Sequence, residues 1–328
     1  MEQRRFSGKG HWYHETQSNH SQTDVLPLVP EAANVDDRFL LDLALPDDIL
    51  ASCAGWLAPA RTLCHLLFPL DTPVSRLHTL SAYDRLSTAL TVAQACGVQR
   101  LCNHYAALLA PLPGPDSSRE SNRRLAEITQ YARQLASSPD VIDDKAQNQL
   151  DEVGLTTYDI VLINQIIGFV GFQARVVAVF QALLGHPVRW LPGHHIQPHT
   201  LPVSFSRWTA TLPAVELKYA SALQLEALSR WQAEPALEAL TPVLCHEPML
   251  LNLTGEILLN HPRSEGPASS MISAARALLV ASPDRFSAAQ LTPLTGSGLS
   301  PEKAINLLTR DAFYGWLDRL RVALGKEE

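Results

Sequence analysis

Residues 138–175 read SPDVIDDKAQNQLDEVGLTTYDIVLINQIIGFVGFQAR, and residues 282–319 read SPDRFSAAQLTPLTGSGLSPEKAINLLTRDAFYGWLDR. Laid over each other without a gap, Ser138-Pro139-Asp140 falls on Ser282-Pro283-Asp284, a shift of 144 residues. At that shift Leu150 falls on Leu294 and Gly154-Leu155 on Gly298-Leu299. Phe169, Gly171 and Arg175 fall on Phe313, Gly315 and Arg319. One ungapped shift is the mark of an internal repeat. Ser-Pro-Asp is a helix-start signature, with Ser as N-cap and Pro in the first turn. The glycines suit a left-handed turn. F-x-G-[FW]-x-x-R then places two aromatic rings on one helix face. Its Gly admits a close backbone, and its Arg stem can lie along apolar surface.

Outward from the repeat, the chain reads as helix nearly throughout. Helical spacing begins at Asp36, with Phe39, Leu40 and Leu43. Residues 80–109 read as one Ala- and Leu-rich helix, opened by Ser81 and Asp84 as a capping box. PLPGPDSS (111–118) breaks it. Ser117 and Glu120 suggest a second box, opening a helix through Ala136. Thr156 is the expected N-cap of a long apolar helix to about Leu184. Residues 187–213 are proline-rich and read as a linker, and helical patterning resumes at Val215. Alternating Val/Ile/Thr runs are scarce. The expected class is all-α: a polar arm over 1–35, a first helical domain over 36–186, the linker 187–213 and a second helical domain over 214–328.

Composition narrows the function. The 328 residues carry a net charge of −7, which disfavours nucleic acid as a partner. The best membrane candidate, Ile160 to Phe180, contains Asn164, Gln165, Gln173 and Arg175, which suits a buried helix better than lipid. The opening MEQRRFSGKGHWYHET lacks an apolar stretch, so no secretory signal is expected. Cys53, Cys64, Cys96, Cys102 and Cys245 form no C-x-x-C pair, and scattered thiols of odd number point to a reducing cytoplasm. Neither G-x-G-x-x-G nor a Walker pattern occurs, and no cofactor is expected.

The first copy, LSAYDRLSTALTVAQACGVQRLCNHYAALL (80–109) followed by 125–185, resembles the alkylhydroperoxidase D-like (carboxymuconolactone decarboxylase) superfamily in its peroxidase-related branch. The order of elements carries the resemblance: a helix opening LS, a Cys-bearing helix ending in A-A-L-L, a G-L-[ST] turn and a final F-bearing helix. It covers 80–185 well, reaches 265–328 through the repeat, and covers 215–265 poorly. It implies packed helices and obligate homo-oligomers, with three double-unit chains forming a trimeric ring. It also implies reduction of a peroxide or disulfide by a Cys-x-x-Cys pair, with Glu and His relaying a proton.

Carried over residue by residue, the catalytic positions are filled otherwise. Tyr105 stands at the family's His, Leu101 and Val98 at its two Cys, and Leu86 at its relay Glu, with Asp84 at a more peripheral acidic position. Nearby stand Cys96, Cys102 and His104, the catalytic candidates if thiol chemistry persists, with Cys102 as nucleophile. On one continuous helix Cys96 and Cys102 would lie about 240° apart. Two functions follow. One is an oxidoreductase acting on a small peroxide or thiol. The other is a non-redox small-molecule-binding protein on the same scaffold, with an apolar pocket under Leu86, Val98, Leu101 and Tyr105. A third, a decarboxylase, needs a base and a cation, for which only Arg85 and Arg100 stand near.

Other motifs are weaker. His194, His195 and His199 form HH-x-x-x-H between prolines, which reads as solvated linker rather than metal site. His11 and His14 in the arm read likewise. Cys64-His65 and Cys245-His246 are adjacent pairs whose side chains diverge on a helix, and neither makes a dyad by itself.

Overall fold

In a computed structural model, residues 30–188, 196, 208–261 and 270–327 are described. Most of the arm and of the proline-rich linker, including His11, His14, His194, His195 and His199, lies outside them. The described chain is all-α. A single 3-10 turn, Pro30–Ala33, leads into α1 (Asp47–Leu67), α2 (Ala82–Cys96), α3 (Gln99–Leu109), α4 (Arg119–Ser137), α5 (Asp144–Glu152) and α6 (Thr157–Leu183). There follow α7 (Ala222–Trp231), α8 (Thr241–Leu244), α9 (Pro248–Asn260), α10 (Ser270–Ala281), α11 (Ala288–Gly296) and α12 (Pro301–Leu324). A short antiparallel ribbon pairs β1 (Trp208–Ala210) with β2 (Gly325–Glu327), Thr209 opposite Lys326.

Both segments of the repeat fold alike. The 3-10 turn Pro139–Val141 and helix α5 have counterparts at the same 144-residue shift in Pro283–Arg285 and α11, and α6 and α12 start at equivalent residues. Ser138 and Ser282 share one backbone conformation, φ −149°, ψ 66° and φ −153°, ψ 69°. Gly154 and Gly298 both take the left-handed region, φ 87° and 95°. Thr156 and Ser300 then cap α6 and α12 by accepting the amides of Asp159 and Lys303. Neither Ser138 nor Ser282 caps with its side chain, so the Ser-Pro-Asp motif fixes a single 3-10 turn rather than a helix start.

Helix α6 is apolar on every side, so it must be covered on every side. It is long and apolar enough to cross a membrane, yet it is buried within the protein. Its main partner is α12. Phe169 meets Trp316 edge-on at 5.8 Å between ring centroids, Phe172 meets Phe313 likewise at 5.8 Å, and Phe172 stacks on Trp316 at 6.0 Å. The conserved spacing of the repeat thus brings its own aromatic pairs together. The arginines exchange in the same way. Arg175 donates to Gly171 O on its own helix at 2.8 Å and across to Val280 O at 2.7 Å. Arg319 donates to Gly315 O at 2.9 Å and across to Ala136 O at 3.3 Å. Ala136 and Val280 are equivalent positions, each closing the helix before its 3-10 turn. Apolar side chains from both halves form one continuous core.

Three local expectations change. Residues 80–109 are two helices, because Gly97 at φ 70° ends α2 with its amide on the carbonyls of Ala93 and Gln94. The one-helix angle between Cys96 and Cys102 therefore does not apply. The cap of α4 is Ser118, one residue after the expected Ser117, and it accepts the amide of Ser121. Residues 36–45 are a turn rather than a helix, with Leu41 and Asp42 both at φ 55°. The Asp42 carboxylate accepts the amides of Asp36 and Asp37, and Arg100 donates twice to Leu41 O. The apolar spacing there serves docking onto the core.

A methyl group at Gly168 would run into the Trp316 indole, whereas one at Gly171 would meet Arg175 Nη1 at an ordinary 3.5 Å. Gly168→Ala should therefore lower stability in urea by about 1–3 kcal/mol through overpacking. Gly171→Ala should be neutral or stabilising by up to about 1 kcal/mol, as for a helix-interior glycine.

Candidate functional site

The residues expected at the family's active positions are core. Leu86, Val98, Leu101 and Tyr105 are all buried, Tyr105 completely. The Tyr105 hydroxyl donates to Gln173 Oε1 at 2.7 Å, and Gln173 Nε2 donates to Arg38 O and Phe39 O at 3.0 and 2.9 Å. Its ring packs on Phe68 at 5.2 Å. The phenol thus anchors the turn at 36–45 through Gln173.

Cys96 ends α2 and is buried beside the two repeat arginines. Burial pushes its thiol up. Arg175 and Arg319 pull it back, and Asp284 pushes up again. The Cys102 thiol is pushed up to about 12, first by burial and then by Cys96. The break at Gly97 therefore brings the two sulfurs into one electrostatic neighbourhood. His104 turns elsewhere. Its Nδ1 stands 2.7 Å from Ala32 O, and because a carbonyl only accepts, Nδ1 carries the proton. Burial pulls its pKa down to about 4, against the opposing pull of that carbonyl. The remaining thiols are raised too, Cys64 to about 12 and Cys245 to about 11, with burial the leading cause.

A different set of groups meets at the surface between the halves. His78, in the loop before α2, has Nδ1 3.6 Å from Glu247 Oε1. The His78 ring lies 5.0 Å from Tyr158, edge-on, and Tyr158 lies 5.0 Å from His246, again edge-on. His246 and Glu247 are adjacent in the chain at the entry to α9, so the four residues form a ring closed on one side by the backbone. Arg85, on the first turn of α2, interacts electrostatically with Glu247 from behind. Its Nη1 donates to Leu67 O at 3.3 Å, while its buried Nε has no hydrogen-bond partner among the described residues.

Local sequence builds this ring. Asp159, completely buried in the capping box of α6, accepts the amides of Thr156, Thr79 and Leu80 and the hydroxyl of Thr79. That clasp holds the loop 77–80 on the first turn of α6, which sets His78 over Tyr158. Glu247 is the N-cap of α9 but makes no side-chain capping bond, leaving its carboxyl turned to the ring. Burial raises its pKa, opposed by His78 and Arg85 and aided by Asp159. Burial likewise lowers that of Arg85, against Glu247, Asp159 and Asp84. Sequence reading notes His246 only as half of a Cys-His pair and Arg85 only as a stray cation. No spacing signal links residues 78, 158 and 247. Among the described residues no group of three His, Cys, Asp or Glu is placed to hold a metal ion.

Compared with known proteins, the chain matches no family model and no curated protein. The chemistry is then read from these residues themselves.

His104 is neutral and buried when folded, at about 4, but near 6.5 when unfolded. The unfolded state therefore binds more protons between those values. Its contribution is full above pH 6.5 and is lost as pH falls toward 4, by up to about 1.4 kcal/mol per pH unit. Melting curves at pH 7 and pH 5 should show the wild type losing more stability than His104→Gln over that interval.

Proposed function

We propose that this protein is a non-redox small-molecule-binding protein on an alkylhydroperoxidase D-like scaffold, built from two copies of one helical unit. The observation that carries this reading is the state of the thiols. All five are free, and each is pushed above its ordinary range by burial. A peroxide-reducing cysteine needs the opposite, a thiolate at neutral pH. The shared backbone of the two repeat segments and their reciprocal arginine contacts support the duplication. The reading includes a cytoplasmic setting, consistent with five unpaired thiols, and assembly as a homo-oligomer, a trimer by the resemblance.

A second reading keeps the thiol chemistry. It has one specific support, the Arg175 and Arg319 guanidiniums that favour a thiolate at Cys96. In that version Cys96, rather than the Cys102 expected from the sequence, attacks a peroxide oxygen as the thiolate, breaking the O–O bond with loss of alkoxide or hydroxide, and Cys102 converts the resulting sulfenic acid to a disulfide with loss of water.

Titration with a chromogenic disulfide separates the two. A thiol near 12 holds on the order of a thousandfold less thiolate at pH 7 than free cysteine. The native protein should therefore react slowly and evenly, with peroxide making no difference, while protein unfolded in guanidinium exposes five fast thiols. A rapid thiol that disappears on peroxide treatment and is absent from Cys96→Ser would establish the oxidoreductase instead.

A further inference from the structure

We propose that the ring of His78, Tyr158, His246 and Glu247, backed by Arg85, is a binding site for a small carboxylate that carries a hydroxyl group and an apolar body. This rests on the non-redox reading above and names the site and ligand class it leaves open.

The argument begins with the unused hydrogen-bonding groups. Arg85 keeps one donor, its buried Nε, without a partner among the described residues, and a guanidinium N–H meets a carboxylate with a charge-assisted hydrogen bond. His246 Nε2 lies 2.9 Å from Pro213 O and so carries the ring proton. That leaves Nδ1 as an acceptor, buried and without a partner, which calls for a donor such as a hydroxyl. Asp159 is no competitor for the ligand, since its oxygens are taken by the loop clasp. The apolar requirement comes from the flanks. Leu77, beside His78, and Met249, two residues beyond Glu247, are both exposed, and the Tyr158 ring forms one wall.

Access and charge also fit. The His78 side chain is 43% exposed and that of Glu247 23%, so the ring opens to solvent on one side. Glu247 faces Arg85 from α2, His78 from the loop, Asp159 from α6 and His246 beside it. Burial holds its carboxyl above the usual range. When protonated it donates to a bound carboxylate, and when ionised it repels one. Binding should therefore weaken as pH rises through the Glu247 titration. Glu247→Gln isolates the carboxyl's part.

The test uses three probes on the full chain: mandelate, phenylacetate, which lacks the hydroxyl, and benzyl alcohol, which lacks the carboxylate. The readout is the imidazole ring-proton NMR signals of His78 and His246, assigned with His78→Gln and His246→Gln. Mandelate should shift both signals saturably. Phenylacetate should bind about tenfold more weakly, the loss of one hydrogen bond, and benzyl alcohol should shift neither. Arg85→Gln should weaken mandelate at least about tenfold, with circular dichroism confirming the fold. Glu247→Gln should flatten the decline of mandelate binding with rising pH. Because the probe signals belong to the wild type, an unstable variant does not decide the outcome. Unmoved imidazole signals, or equal affinity for all three probes, would show the ring to be a structural clasp between halves. That result would overturn the site while leaving slow, peroxide-insensitive thiols, and the reading they support, intact.

Discussion

Packing of α6 against α12 is the constraint on which the rest of the structure depends. A helix of 27 residues that is apolar all round cannot be covered by one sheet of neighbours. It needs a partner of similar length, and α12 is the one the chain supplies. The close approach is permitted by Gly168, where Trp316 lies against bare backbone. The equivalent of Gly168 is Ala312, and the equivalent of Trp316 is the smaller Phe172. The larger ring, Trp316, is thus met by the smaller residue, Gly168, on the facing helix.

The same seam pairs several of the polar groups that an apolar helix can ill afford, while Gln165 keeps both amide atoms without a partner among the described residues. Arg175 and Arg319 each close a helix end of the opposite segment, so the buried charge finds carbonyls instead of water. Asn164 accepts from Tyr131, and Gln173 joins Tyr105 to the backbone at Arg38 and Phe39. Each pairing ties α6 to a different neighbour. The aromatic box extends the seam outward: Trp56 stacks on Phe180, and His261 lies between Trp56 and Phe313. Burial there pulls His261 down to about 3, with Arg310 pulling the same way.

Burial is also the common cause behind the contrast between the two candidate regions. Around α2 and α3 it raises every thiol and neutralises His104, which favours packing over reactivity. At the ring of His78 and Glu247 burial is partial, and it raises the Glu247 carboxyl and lowers the Arg85 guanidinium against the pull of the opposite charges beside them. Perturbed groups in an open setting are the usual mark of a functional site.

Much of the architecture was legible in the residues. Helical spacing excluded a sheet-based fold, because apolar positions recur at helical intervals and almost never alternate. The 144-residue echo located the two long helices, since Gly154, Thr156, Gly298 and Ser300 carry turn and cap chemistry that depends only on neighbours in the chain. The break at Gly97 was one of three local features not legible, because one glycine inside an otherwise apolar helical pattern leaves periodicity unchanged. The candidate site was not legible. His78, Tyr158 and Glu247 lie far apart in sequence, His78 in a loop and the other two at helix starts, where residue choice answers to capping as much as to chemistry. Only the docking of α9 onto the first half, and the clasp made by Asp159, brings them to one place. Local hydrogen bonds and periodicity are properties of the chain alone, whereas a cluster assembled from four segments exists only once the core has closed.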